Sequence, residues 1–382
     1  MDDKKKIFYY VNVLPNQGGQ WYYAINQLDY LKKELKNKYN IKVFVSNKKV
    51  QNALRENEIN SELINISLLE KIILKFDKSI PFLNKFFNIQ SKFEKKLLSM
   101  NCSLLYIPHL FFLNCLIKKV PTVVSILDLC HLDYPYLEEF SDNNDISQRE
   151  FYLNNYTNKT FLIIAESEDT KKKLIEKYKI ENEKILIKYF DISKNLEIKK
   201  SEEIDILKNK KFIFYPSNFL SHKNHKLIID AQDYLLKKDF IYVFCGNDRG
   251  YLDKLKIMIK KKNLSNHFLI FKSLDLEKMN YLYKNCNAII YPSLFGPANI
   301  PLFEAWYLRK PILYPKQFNN FSKNGAILFD NTDPKSLAES INQIKESDKN
   351  KKIIEDGYKN YLNYRNLDQK FIRDFIIKLN NI

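Results

Sequence analysis

The chain has 382 residues, 62 Lys and Arg against 45 Asp and Glu for a formal charge of +17, and only 7 glycines. This length exceeds the size at which a single hydrophobic core usually stops growing, so two domains are expected. With 45% hydrophobic and 14% aromatic residues, the chain can bury a large core, which excludes global disorder. Five widely spaced cysteines without a CxxC pair argue against a disulfide framework or zinc site and for a reducing, cytosolic compartment. The N-terminal apolar stretch ends at Asn16 and Gln17, too short for a signal peptide. Leu104–Ile117, the longest apolar region, contains Pro108, His109 and Asn114 and is shorter than a bilayer requires. Lysines come in dispersed short runs such as Lys4–Lys6, Lys171–Lys173 and Lys260–Lys262, without interleaved aromatics, so nucleic acid is not an expected partner. Compositional bias and attraction to an anionic membrane surface are the two remaining readings of the charge.

Short apolar runs of strand length alternate with longer amphipathic stretches. In the first half, strands are predicted at Lys6–Leu14, Ile41–Ser46, Leu104–Pro108, Thr122–Asp128, Phe161–Ala165 and Ile185–Phe190. Lys194–Lys211 is charged, lacks a strong strand pattern and is the candidate linker. The alternation then restarts, with strands predicted at Phe212–Ser217, Ile241–Gly246, Phe268–Lys272, Ala288–Ser293, Pro311–Tyr314 and Ala326–Phe329. Doubly apolar strands separated by helices argue for parallel sheets covered on both faces. Two such units give two doubly wound domains, whose ligands sit at the carboxyl ends of strands. Asn366–Leu379 reads as a final amphipathic helix that packs back on the first domain.

The candidate functional residues fall at those strand ends. Gly18-Gly19 follows the first strand and opens a helix at Gln20–Leu35. Such a turn either lets backbone N–H groups approach an anion or simply tightens the loop. Asp128 ends a strand and His131 follows three residues later. The pair can orient a hydroxyl or exchange protons, or Asp128 caps the next turn and His131 packs in a loop. Asp142 and Asp145 read as a polar turn rather than a metal site. In the second half, Tyr215–His225 joins a strand to a helix expected to begin near Lys223. A lysine in a first helical turn opposes the macrodipole, so either an anion offsets the cost there or the side chain is simply solvated. In Tyr291–Ala305, Asn299 offers an N-cap, Pro301 suits the first turn, and Glu304 follows one turn in. Glu304 is placed either to accept hydrogen bonds from a ribose diol or as an acid favoured by the helix dipole.

These patches resemble the GT-B-fold glycosyltransferases of family 4, the large retaining family of the glycosyltransferase group 1 type. PSLFGPANIPLFEA, followed by RKPILYP, resembles the family's PS-x-x-E-G-F-G-x-P-x-x-E-A block and the strand after it. YPSNFLSHKNH resembles the donor-phosphate loop, and QGGQWYYAINQL and SILDLCHLDYP the Gly-rich and acceptor-side loops. The resemblance implies two Rossmann-like doubly wound domains facing a central cleft. Residues 1–200 would take the acceptor, residues 201–365 the donor, and residues 366–382 would form a crossover helix on the first domain.

The implied donor is a UDP-, GDP- or similar nucleotide sugar, with no cofactor and no metal. Glu304 would bind the ribose, the N–H groups of Asn299 and Ile300 together with Lys223 the diphosphate, and the turn near Phe271–Lys272 the base. Gly18, Gly19, Ser217, His222, Gly246 and Gly296 would complete the donor site. The acceptor, a lipid-linked or surface-polysaccharide glycan, would lie against Gly19, His109, Asp128 and His131. Asp128, His131 and Lys223 would be catalytic, with transfer drawn as a front-face attack assisted by the leaving phosphate. A nucleotide-sugar epimerase or a binding module without activity are the competing readings. The sequence departs from the family pattern at Gly296 (usually Glu), Asn218 (often Arg) and Leu127 (usually His).

Overall fold

The computed structural model describes residues 4–15, 19–72, 91–110, 112–140, 143–189, 192, 196, 200–296 and 300–382. The chain divides into two compact units, Met1–Tyr136 with Phe140–Tyr189 and Asp368–Ile382, and Leu137–Glu139 with Phe190–Leu367. Within the candidate linker, residues 194, 195 and 197–199 lie outside the described residues, as do residues 73–90.

The first unit is built on a parallel sheet of order β3-β2-β1-β4-β5-β6-β7. Its strands are β1 (Lys5–Tyr10), β2 (Tyr39–Val45), β3 (Glu62–Leu63), β4 (Cys102–Ile107), β5 (Thr122–Ile126), β6 (Leu162–Ala165) and β7 (Ile185–Ile187). Alternation along β1 sends side chains to two separate cores, as a two-residue period requires. Ile7 and Tyr9 join the core under the helix Gly19–Leu35, whereas Phe8 and Tyr10 pack with Phe93 and Leu97 on the opposite face. The two-residue β3 pairs with the end of β2 and is too short to carry a periodic sequence signal.

The second unit has a parallel sheet of order β10-β9-β8-β11-β12-β13. It comprises β8 (Phe212–Pro216), β9 (Ile241–Cys245), β10 (Phe268–Phe271), β11 (Ala288–Ile290), β12 (Ile312–Pro315) and β13 (Ile327–Phe329). Central strand residues such as Ile213, Phe214, Val243, Ile289 and Leu313 are fully buried, consistent with helices on both faces. Serine or aspartate N-caps start several helices: Ser167 accepts from Thr170 N, Asp275 from Lys278 N and Asp333 from Lys335 N.

Both sheets reverse their strand order once, between β1 and β4 and between β8 and β11. These switch points open a crevice at the carboxyl ends of the strands, where doubly wound sheets bind ligands.

The last helix is longer than predicted, running Ser347–Leu379 rather than Asn366–Leu379. Its earlier turns belong to the second unit, where Gly357 lies so close to Trp306 that a Cβ would meet Trp306 Cδ1 at 2.4 Å. Its final turns pack on the first unit, with Phe371, Ile372, Phe375 and Leu379 in the same core as Tyr9 and Leu28. Lys188 and Asp368 pair there at 2.9 Å, both nearly inaccessible, and the Lys188 ammonium also lies 4.7 Å from the Tyr30 ring centroid. Residues 143–155, which include Asp145, form a helix rather than the expected polar turn; Asp142 lies outside the described residues. Among the described residues, no helix is long and apolar enough to cross a membrane. All five cysteines are buried free thiols.

Candidate functional site

The segments following β8 and β11 meet at the switch point of the second sheet. Leu294 N donates to His222 O at 2.9 Å, and Asn224 Nδ2 donates to the carbonyls of Pro292 and Asn331. Asn331 Nδ2 in turn donates to Ser293 O at 3.0 Å, so three loops are joined through two asparagines. The His222 ring stacks on Phe295 with centroids 4.3 Å apart.

Lys223 is not in a helical first turn. It ends a 3-10 turn at Ser221–Lys223, and the helix begins at His225. Between them Asn224 adopts φ +55°, a left-handed conformation that breaks the helical path and that Asn tolerates. The macrodipole argument for an anion therefore does not apply, and Lys223 has to be judged by its surroundings. It is half-buried, donates from Nζ to the Tyr291 hydroxyl at 2.9 Å, and lies 5.2 Å from that ring's centroid. Among the described residues it has no carboxylate partner.

Several other predicted donor residues converge on the same end of the sheet. Ser217 N donates to Cys245 O, and Gly246 N to Phe271 O. At Gly246 a Cβ would meet Ser217 O at 2.1 Å, so glycine is required there by the close approach of two backbones. Gly296, in the segment after β11, adopts φ +83°. Phe271 closes β10, half-buried, with Lys272 exposed beside it. Gly18 and Asn299 lie outside the described residues, while Gly19 and Ile300 are the first residues of their helices.

Glu304 sits in the second turn of the helix Ile300–Tyr307 rather than in the first. It is 4% exposed, and its Oε2 accepts a hydrogen bond from the Tyr283 hydroxyl. Burial and the Glu304 charge together push the Tyr283 phenol far above its usual range, so it stays protonated and can only donate to the carboxylate.

In the first unit, Asp128 follows β5 and is held by three donors. Arg149 Nη1 lies at 2.9 Å, Cys130 Sγ at 2.7 Å and Cys130 N at 3.3 Å from its Oδ1. Burial opposes the charge, but the Arg149 guanidinium and the Cys130 bonds outweigh it and hold the carboxyl well below the usual range. The turn-capping alternative is thus realised through Cys130 N. His131 lies in a short helix, Cys130–Asp133, with its side chain buried and Nε2 3.0 Å from Glu150 Oε1. Burial and then Arg149 lower its pKa, so the ring is neutral near pH 7. His109, just past β4, is buried and pushed down to about 4 by desolvation. Arg149 and Glu150 are neighbours on one helix and grip Asp128 and His131 respectively. No periodicity marks them in the sequence, and neither does any strand end. Tyr291 opens the Tyr291–Ala305 segment with no sequence signal of its own, yet its hydroxyl accepts from Lys223.

Comparison with known proteins follows this division. The family model described as "Glycosyl transferases group 1" matches residues 196–360. The chain is 23% identical over 186 residues to the O-antigen chain mannosyltransferase RfbU of Salmonella typhimurium (strain LT2), a match covering 48% of this chain and 51% of that protein. The aligned region thus spans about half the length of this curated relative. A glycosyltransferase from Rickettsia africae ESF-5 superposes with a TM-score of 0.69 at 15% identity, over 98% of this chain and 99% of the other. Anabaena Alr3699/HepE in complex with UDP-glucose superposes with a TM-score of 0.71 at 17% identity, over 97% and 99%. At such identities these two likenesses establish the fold alone. Residues 196–360, most of the second unit, thus match the group 1 glycosyl transferase model, and the chain as a whole has the GT-B fold.

Proposed function

We propose that this protein transfers a sugar from a nucleotide-diphosphate donor to a glycan acceptor, with retention of the anomeric configuration and without a metal. The observation that carries this reading is Lys223, a half-buried ammonium at the switch point of the second sheet with no carboxylate partner among the described residues. An uncompensated cation in that position is suited to a bound anion. The group 1 family match over the same segment supports a diphosphate as that anion. A UDP-glucose complex of a protein with the same fold supports a sugar nucleotide as its source.

The steps follow from the chain's own residues. Glu304, oriented by Tyr283, accepts hydrogen bonds from the donor ribose. Charge builds on the leaving diphosphate as the glycosidic bond breaks, and Lys223 stabilises that charge more strongly than it does the ground state. The departing phosphate oxygen helps take the proton of the attacking hydroxyl, so no strongly basic side chain is needed. Asp128, kept ionised by Arg149, accepts a hydrogen bond from a substrate hydroxyl rather than shuttling protons. The acceptor is a lipid-linked or surface-polysaccharide glycan, in keeping with the O-antigen mannosyltransferase among the relatives. The +17 charge favours work at an anionic membrane surface.

A thermal-shift panel of nucleoside diphosphates and their sugars tests the reading. One of them should raise the melting temperature through binding to the native state, and Glu304→Ala should abolish the shift. Equal shifts in wild type and Glu304→Ala would remove Glu304 from the site.

A further inference from the structure

Asn218, in the loop after β8, brings no charge to this end of the sheet: its Oδ1 accepts from Asn247 N at 2.9 Å, so the side chain is committed to joining the β8 and β9 loops.

Tyr291, one residue past β11, supplies a different kind of support. Its hydroxyl accepts from Lys223 Nζ at 2.9 Å, with the ammonium 5.2 Å from the ring centroid and so toward the hydroxyl edge of the ring rather than over its face. The ring itself is 1% exposed and locked by neighbours: it stacks on Tyr314 and meets Tyr215 edge-on. Tyr215 in turn donates its hydroxyl to Lys223 O at 2.7 Å. Head and backbone of Lys223 are therefore fixed by two aromatic residues from neighbouring strands. An ammonium has three N–H donors, so one goes to Tyr291 and two are left for phosphate oxygens.

We propose that Tyr291 is a positioning residue of the diphosphate seat, holding the Lys223 ammonium at the β8–β11 switch point. The inference rests on the donor reading of Lys223 given above. A lysine stem free to sample its rotamers loses side-chain entropy on gripping a ligand. A stem already held by that hydrogen bond has lost part of it beforehand, which strengthens binding through preorganisation.

Calorimetry on the full chain separates the two ideas. The titrants are UDP, GDP, ADP, CDP, dTDP and inorganic pyrophosphate, with the matching nucleosides as phosphate-free controls. For the diphosphate bound best, Tyr291→Phe should weaken affinity about five- to tenfold and Lys223→Ala by at least about tenfold, the range for bonds to charged groups. Nucleoside affinity should not change in either variant. The double variant should bind no more weakly than Lys223→Ala alone, since both changes remove one interaction. If Tyr291→Phe binds diphosphate like wild type while Lys223→Ala does not, the positioning role is wrong and the donor reading survives. Additive losses in the double variant, or equal loss for nucleoside and diphosphate, would overturn the positioning role as well. Unchanged diphosphate affinity in Lys223→Ala would overturn both ideas. Tyr291→Leu, read the same way, covers the case in which Phe packs poorly.

Discussion

Replacing Glu166 with Gln should make the protein more stable at alkaline pH and leave it unchanged in acid. Glu166 follows β6 and is 3% exposed. Its Oε1 accepts from Thr170 Oγ1 at 2.9 Å and Ser167 Oγ at 3.1 Å, while its Oε2 is buried without a hydrogen-bond partner among the described residues. Burial first, and the nearby Asp128 charge, push its pKa from an ordinary 4.5 to about 8. The unfolded chain therefore releases this proton near pH 4.5, whereas the folded chain keeps it until about pH 8. Between those values the native state binds more protons, so stability falls as pH rises, and it levels off on either side. At about 1.4 kcal/mol per pH unit, the whole window is worth on the order of 5 kcal/mol before relaxation of the site, and roughly 2–5 kcal/mol should survive. Glutamine keeps an oxygen for Ser167 and Thr170 but does not titrate. Urea unfolding of both proteins from pH 4 to pH 9 gives the difference directly, because every shared group cancels. A difference that stays constant with pH, or a variant less stable at pH 8, would refute the reasoning.

Three further outcomes are expected. Gly246→Ala should cost roughly 2–4 kcal/mol in denaturant unfolding, because its Cβ would meet Ser217 O at 2.1 Å and neither backbone can move freely; a wild-type midpoint would show that the loop yields. Asp368→Asn should cost roughly 2–4 kcal/mol by leaving the Lys188 ammonium buried without its 2.9 Å partner, and Lys188→Met with Asp368→Asn together should recover part of that loss. Tyr283→Phe removes the hydroxyl held by Glu304. Its affinity for a ribonucleoside diphosphate should fall several-fold while that for the 2′,3′-dideoxy analogue stays level, and equal losses for both would point to a packing defect instead.

The twelve strands predicted from apolar runs are all present, because a strand buried on both faces writes its burial into consecutive residues. The residues that join the site across the fold were far less legible. Gly246 stood out in a chain poor in glycine, but the reason for it, the Ser217 carbonyl, lies 29 residues away in sequence and on another strand. The first-turn placement of Lys223 does not hold: the helix starts two residues later, since Asn224 takes a left-handed turn, with its side chain anchored on the Pro292 and Asn331 carbonyls. Arg149 and Glu150 carry no local signal, because their partners Asp128 and His131 are reached only after an intervening helix folds back. Residues 16–18 and 297–299, which include Gly18 and Asn299, lie outside the described residues.

The central claim is that Lys223 serves a diphosphate that leaves during sugar transfer. Its most direct test is the release of nucleoside diphosphate from a panel of sugar nucleotides, with and without a lipid-linked glycan acceptor, in wild type and Lys223→Ala. The account predicts acceptor-dependent release from one donor, lost by at least about 100-fold in the variant, as expected for removal of a transition-state charge partner. Release at the wild-type rate by Lys223→Ala would contradict it.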